Sequence, residues 1–141
     1  MAFFYYKEYI NQQLIQISLL VRDYDEAIVF YTQKLGFVLL EDTSLSETKR
    51  WVRIQPAGNQ GGCSILLAKA VNEQQISAIG NQTGGRIFLF LHTDNIDRDY
   101  INYKNKGIEF IGEPRSESYG KVVVFRDIYG NLWDLIEPIK E

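Results

Sequence analysis

Leu14-Ile15-Gln16-Ile17-Ser18-Leu19-Leu20-Val21-Arg22 runs into Asp23, after which Tyr24, Ala27, Ile28, Tyr31 and Leu35 recur at helical spacing up to Gly36. A β-rich run, a capping aspartate, an amphipathic stretch and a glycine stop predict a strand followed by a capped helix. Working outward, 37–40 reads as a second strand, 50–54 as a third, and 63–68 as a fourth after a glycine-rich loop at 58–62. The order is β-α-β-β-β. A short helix is expected at 71–79, and 80–85 is the most linker-like stretch of the chain.

The same order then starts again, with a strand at 86–92, a helix at 94–106 ending at Gly107, and strands at 108–111, 121–126 and 132–136, the last two joined by a turn containing Tyr129-Gly130-Asn131. A shift of 71 positions superimposes Leu20 on Leu91, Asp23 on Asp94 and Gly36 on Gly107, so each half has a matching helix start and helix end. Beyond that frame the halves share little, and neither could close a core alone. The expected fold is α+β: tandem βαβββ modules whose eight strands form a curved mixed sheet, four to a module, around a shared cavity with both helices outside. The chain is read as one domain, with module one at 14–70, a linker at 71–85 and module two at 86–137.

The 141 residues are 45% apolar, 13% aromatic and 23% charged, which describes one ordinary soluble domain and excludes disorder and collagen-like repeats. A chain of this length buries roughly two thirds of its unfolded surface, so no metal or disulfide is needed to hold it together. With 15 Lys and Arg against 18 Asp and Glu the formal charge is −3, a poor balance for nucleic acid or for an anionic membrane surface. No run approaches the ~18 apolar residues of a membrane span. The aromatic start, Met1 to Ile10, is interrupted by Lys7 and Glu8 and reads as neither signal peptide nor anchor. Cys63 has no partner for an internal disulfide and is expected to be a reduced, buried strand thiol in a cytoplasmic protein.

Two segments carry a resemblance: Val21-Arg22-Asp23-Tyr24-Asp25-Glu26-Ala27-Ile28-Val29-Phe30-Tyr31 with Leu35-Gly36-Phe37, and Asp127-Ile128-Tyr129-Gly130-Asn131-Leu132-Trp133-Asp134-Leu135. In a duplicated β-α-β-β-β frame they resemble the vicinal oxygen chelate superfamily, which includes glyoxalase, bleomycin-resistance and extradiol dioxygenase families. The resemblance covers 14–137. It implies the fold strongly and any single activity weakly, since one fold hosts many functions.

In that superfamily's enzymes four side chains, usually His and Glu, reach one divalent metal from equivalent strand positions. The first-strand His position falls here on Gln16, a weaker amide donor. Its counterpart falls on Ile87, or on Phe88 if the register moves by one, and neither binds a metal. The first module's last strand places its ligand near Leu66 or Leu67, again apolar, and the second module places Asp134 where Glu is usual, which withdraws the carboxylate by roughly 1.5 Å. Two weak oxygen donors remain, and so few protein ligands seldom hold Zn, Ni or Fe tightly. The expectation is therefore no cofactor, with a divalent metal ion held by Gln16 and Asp134 as the alternative. Without a metal, Gln16 and Asp134 are expected to hydrogen-bond to each other or to a polar ligand across the cup.

Trp51 and Arg53 alternate onto one strand face, offering either a stacking platform with an anion-binding fork or a core Trp with a rim Arg. Tyr119 and Trp133 either line a pocket or fill the core, the latter being favoured. His92, the only histidine, sits at a strand end, where a solvated or capping role is the expectation. Glu26, Lys34, Lys104 and Lys106 read as solvated helix faces, and the glycines at 58, 61, 62, 80, 84 and 85 as turns.

The ligand-binding residues expected are thus Gln16, Trp51, Arg53, Tyr119 and Asp134, and no catalytic residue is assigned. Three functions compete: a metal-free protein of the bleomycin-resistance kind enclosing a small, partly aromatic molecule between its modules; a metal-dependent glyoxalase-like lyase or isomerase; and a non-catalytic dimeric interaction protein whose cup is filled by the aromatics at 51, 119, 125 and 133. The resemblance also implies a homodimer, for which Phe3, Phe4, Tyr5 and Tyr6 are candidate contacts.

Overall fold

The computed structural model describes residues 9–58 and 61–140. The first half contains β1 (Gln16–Val21), α1 (Tyr24–Val29), β2 (Val38–Ser44), β3 (Arg50–Gln55) and β4 (Ser64–Lys69). After α2 (Glu73–Ala78), the second half contains β5 (Leu89–His92), α3 (Ile96–Asn105), β6 (Phe110–Glu117), β7 (Gly120–Arg126) and β8 (Leu132–Pro138). The eight strands divide into two four-stranded sheets of identical topology, β1-β4-β3-β2 and β5-β8-β7-β6, in which the first strand of each half pairs parallel with its last.

The Asp23 side chain accepts the Glu26 amide at 2.8 Å and starts α1, as its sequence predicts. In the second half the expectation shifts by one residue. Asn95, and not Asp94, is the cap, accepting the Arg98 amide at 3.0 Å, while the Asp94 carboxylate pairs with the Arg98 guanidinium at 2.7 Å. The reason lies in the first helix, which continues as a π-helical turn, Phe30–Lys34, before Gly36. A π turn accommodates one extra residue. The helix starts are therefore offset by 72 (Asp23, Asn95) and the ends by 71 (Gly36, Gly107).

Strand alternation divides each sheet into two faces. Leu19, Val21, Val52, Ile54, Ile65 and Leu67 of the first sheet, and Val123, Phe125, Trp133 and Leu135 of the second, are buried in one hydrophobic core with Ala27, Tyr31, Ile96 and Tyr103 from the helices. That shared core joins the halves. Trp133 stacks on Phe125 (centroids 5.7 Å apart) and meets Tyr31 and Phe37 at 5.9 and 5.8 Å. Trp133 is thus a core residue, the favoured of its two readings.

Polar links cross the same seam. The fully buried Tyr31 donates its hydroxyl to Asp127 at 2.6 Å, and Asp127 also accepts the Tyr129 and Asn131 amides at 2.9 Å and the Asn131 side chain at 2.8 Å. Burial, with the Asp127 charge second, holds the Tyr31 hydroxyl well above its usual range, so it remains a donor. Tyr129 donates to Glu26 at 2.9 Å. Glu26, expected on a solvated face, therefore ties the halves together. In the 80–85 linker, the Gln82 amide accepts the Leu20 N–H at 2.6 Å and donates to the Ser18 carbonyl at 3.2 Å, pairing with the outer edge of β1.

Three strands differ from their expected spans by three residues or more, the first being β2, which runs to Ser44 instead of 40. β5 begins at Leu89 instead of 86. β6 runs to Glu117 instead of 111, because as the outer strand of its sheet it tolerates the bulge between Ile111 and Arg115, with Gly112 at φ 79° and Pro114 inside it. Cys63 lies just before β4 and is half-buried, a correction to its reading as a buried strand thiol. Among the described residues no helix is long and apolar enough to cross a membrane. Phe3 to Tyr6 lie outside the described residues.

Candidate functional site

The helices cover one face of each sheet and leave the opposite face largely open, with Val122 and Ile136 of the second sheet buried on theirs. On the first sheet the register sets rows across the open face: Thr43, Trp51, Ala68 and Leu20; then Glu41, Arg53, Leu66 and Ser18; then Ser64 and Gln16. Arg53 reaches along the face to Gln16, its Nε donating to Gln16 Oε1 at 2.9 Å, while one terminal nitrogen pairs with Glu41 at 3.3 Å. The Ser64 hydroxyl also donates to Gln16 Oε1, at 3.2 Å. Sequence reasoning missed Glu41 and Ser64, since the bulge between Leu39 and Glu41 sets which carboxylate lies beside Arg53.

Trp51 is half-buried on this face and lines a groove of about 660 Å³ with Leu20, Leu66 and Ala68 beneath it and the β2–β3 hairpin (Ser46, Thr48, Lys49) beside it. The neighbouring Arg50 turns to the helix side, where both ends of its guanidinium are held, by Asp42 at 2.6 Å and Asp25 at 2.9 Å, over the Tyr24 ring. Gln16, Trp51 and Arg53 are therefore brought onto one face, and Trp51 is half-buried there instead of packed in the core.

Asp134 occupies the open face of the second sheet, opposite Phe90 and Val124. It has no hydrogen-bond partner among the described residues. Burial raises its carboxyl above the usual carboxylate range, with the Arg115 charge pulling the other way. Phe90 beside it is 64% exposed. Tyr119 stands at the β6–β7 turn, 50% exposed, which corrects the favoured core reading. The expected bond between Gln16 and Asp134 is not formed. Gln16 is satisfied within its own sheet, because the halves meet through their helix-covered faces, not their open ones. The aromatics proposed to fill the cup do not gather there: Phe125 and Trp133 lie in the core and Tyr119 at a turn. His92, at the end of β5, is exposed as expected.

The registers also relate the positions at which the resemblance implies metal ligands. Gln16 lies opposite Ser64 and Leu89 opposite Trp133, so with the offset of 72 Gln16 corresponds to Phe88, and Leu66 to Asp134. Among the described residues no three His, Cys, Asp or Glu side chains gather to share a metal ion. The set Gln16, Leu66, Phe88 and Asp134 does not fit a divalent cation: two members have no donor atom, and the Gln16 oxygen already serves two donors, one a guanidinium.

The family model described as Glyoxalase/Bleomycin resistance protein/Dioxygenase superfamily matches residues 13–135. An uncharacterized protein of Shewanella frigidimarina (strain NCIMB 400) is 52% identical over 128 residues, covering 90% of this chain and 94% of its own length. Among solved structures, UcmS2 is similar with a TM-score of 0.78 at 28% identity, over 91% of this chain and 99% of that one. TnmS3, an antibiotic binding protein from Streptomyces sp. CB03234, has a TM-score of 0.73 at 26% identity, over 92% and 98%.

Proposed function

The chain belongs to the glyoxalase/bleomycin resistance protein/dioxygenase superfamily, and from that premise we propose that it binds a small, partly aromatic molecule between its modules without the superfamily's metal. The observation that carries this reading is Arg53 on Gln16. A guanidinium 2.9 Å from Gln16, the one donor that the first sheet offers at the implied metal positions, occupies its oxygen and disfavours a cation there, although Glu41 offsets part of the charge. The same guanidinium, beside the half-exposed Trp51, presents donors and a flat surface to an organic ligand. TnmS3, a similar fold, is named as an antibiotic binding protein, which supports sequestration over turnover.

The reading includes a homodimer. Each open face is one wall of a cup in a single chain, and a second copy supplies the other wall. The exposed Phe90, together with Tyr9, Ile10, Leu14 and Ile15, provides apolar surface for that contact. Trp51, Arg53 and Gln16 act as ligand-binding residues on one wall, and Tyr119 and Asp134 on the other.

The test is a thermal-shift screen against divalent metals and small aromatic or dicarbonyl compounds, with metal analysis of protein purified without chelator. A compound that raises Tm in wild type, equally so in EDTA, and loses its effect in Trp51→Ala and Arg53→Ala supports the proposal. A stoichiometric ion that is lost on Asp134→Ala overturns it in favour of the metal-dependent lyase or isomerase.

A further inference from the structure

We propose that the groove over Trp51 selects an aromatic anion, an inference that rests on the ligand-binding reading above and narrows its ligand class. Among the described residues, those lining the groove include three cations, Lys49, Arg50 and Lys69, and no Asp or Glu. This bias runs against the chain as a whole, whose formal charge is −3. The Arg50 charge is offset by Asp42 and Asp25, which do not line the groove. Lys49 and Lys69 pair with no carboxylate among the described residues, so their charge is available to an occupant.

The floor supplies the other half of the recognition. Trp51 lies in one row with Ala68 and Leu20, and Leu66 lies in the next, giving an indole flanked by apolar side chains. Ser18, Ser46, Thr48 and Gln75 add neutral donors around it. An indole over an aliphatic floor favours a flat, apolar ring system, and unpaired ammonium groups at its margin favour a carboxylate, sulfonate or phenolate on that ring. A cationic ring of the same shape meets two uncompensated like charges.

The experiment titrates the full chain with 9-anthracenecarboxylate and with 9-(aminomethyl)anthracene, two probes of one ring and opposite charge. It follows tryptophan fluorescence, with Trp51→Phe as the control that leaves only the core Trp133. The expected result is quenching that is absent in Trp51→Phe and a Kd for the carboxylate at least about fivefold below that for the ammonium at low salt. That preference should collapse toward one in about 0.5 M salt and in the Lys49→Gln/Lys69→Gln double variant. Both lysines are exposed, so the variant preserves the fold. Equal affinity for the two probes, or preference for the ammonium, with quenching still dependent on Trp51, overturns the anion assignment and leaves the ligand-binding reading standing. Quenching that persists in Trp51→Phe, or that neither probe produces, overturns the use of this groove altogether.

Discussion

Replacing Tyr31 by Phe removes one hydroxyl and leaves the ring. The Phe30, Phe37 and Trp133 contacts, with centroids 5.3 to 5.9 Å away, are kept, so the change isolates the 2.6 Å bond to Asp127. Asp127 retains three donors, the Tyr129 amide and both Asn131 groups, so no buried charge is orphaned. A hydrogen bond to a charged acceptor contributes about 1.5–3 kcal/mol, and the expected cost is about 2 kcal/mol, or about 6–8 °C in Tm for a chain of this size. Asp127→Ala strips the acceptor from all four donors and should cost about 4 kcal/mol or more. In that background the Tyr31 hydroxyl is a buried group without an acceptor, so adding Tyr31→Phe should be neutral or stabilising. Urea unfolding of the two single variants and the double variant closes the cycle, with an expected coupling of about 2 kcal/mol. A cost of Tyr31→Phe below about 0.5 kcal/mol, or the same cost with and without Asp127, refutes the claim that this bond fastens the halves together.

Gly80 adopts φ +73° with the Tyr129 carbonyl 2.0 Å from where a Cβ would be, so Gly80→Ala should cost about 3 kcal/mol or more, while Gly84→Ala, with open space at φ +67°, should cost about 1 kcal/mol by urea unfolding. Asp134→Asn tests the pH linkage. Burial raises the folded-state pKa of this acid, so its contribution to stability is greatest below the ordinary value of 3.8 and is lost as pH rises through the folded value. The Asn variant should therefore melt higher than wild type at pH 7 and equally at pH 3, and a lower Tm at pH 7 contradicts this. Deleting residues 1–12 should lower Tm or dissociate the proposed dimer, and an unchanged mass by light scattering with an unchanged Tm counts against the contact.

Local signals were legible and long-range placement was not. The Asp23 cap, the Gly36 and Gly107 stops and the alternation of β3 depend on neighbours within a few residues, and each appears as read. The second helix start was misplaced by one because a π turn leaves no mark in composition: Phe30 and Tyr31 read as ordinary helix. β6 was cut short because Gly112 and Pro114 signal a break, and only its place at the sheet edge makes them tolerable. At the site, the sequence identified Gln16, Trp51 and Arg53 as chemistry-bearing residues, but the bond between the first and last spans 37 positions and depends on two strand registers, β1 with β4 and β4 with β3. The separation of Tyr119 and Asp134 from them follows from how two sheets meet across a core, which no pattern within one strand encodes.

The Gln82 amide on β1 has a consequence for the molecule in a crowded solution. A border strand in a sheet is a template: its outward N–H and C=O groups invite a stranger's backbone and, repeated, a fibre. In β1 the central pair of those groups, the Leu20 N–H and the Ser18 C=O, is already engaged by a side chain that imitates a peptide bond. An invading strand would have to evict it first. A single glutamine thus acts as a stopper, ending self-addition at that rim without adding a charge or a proline.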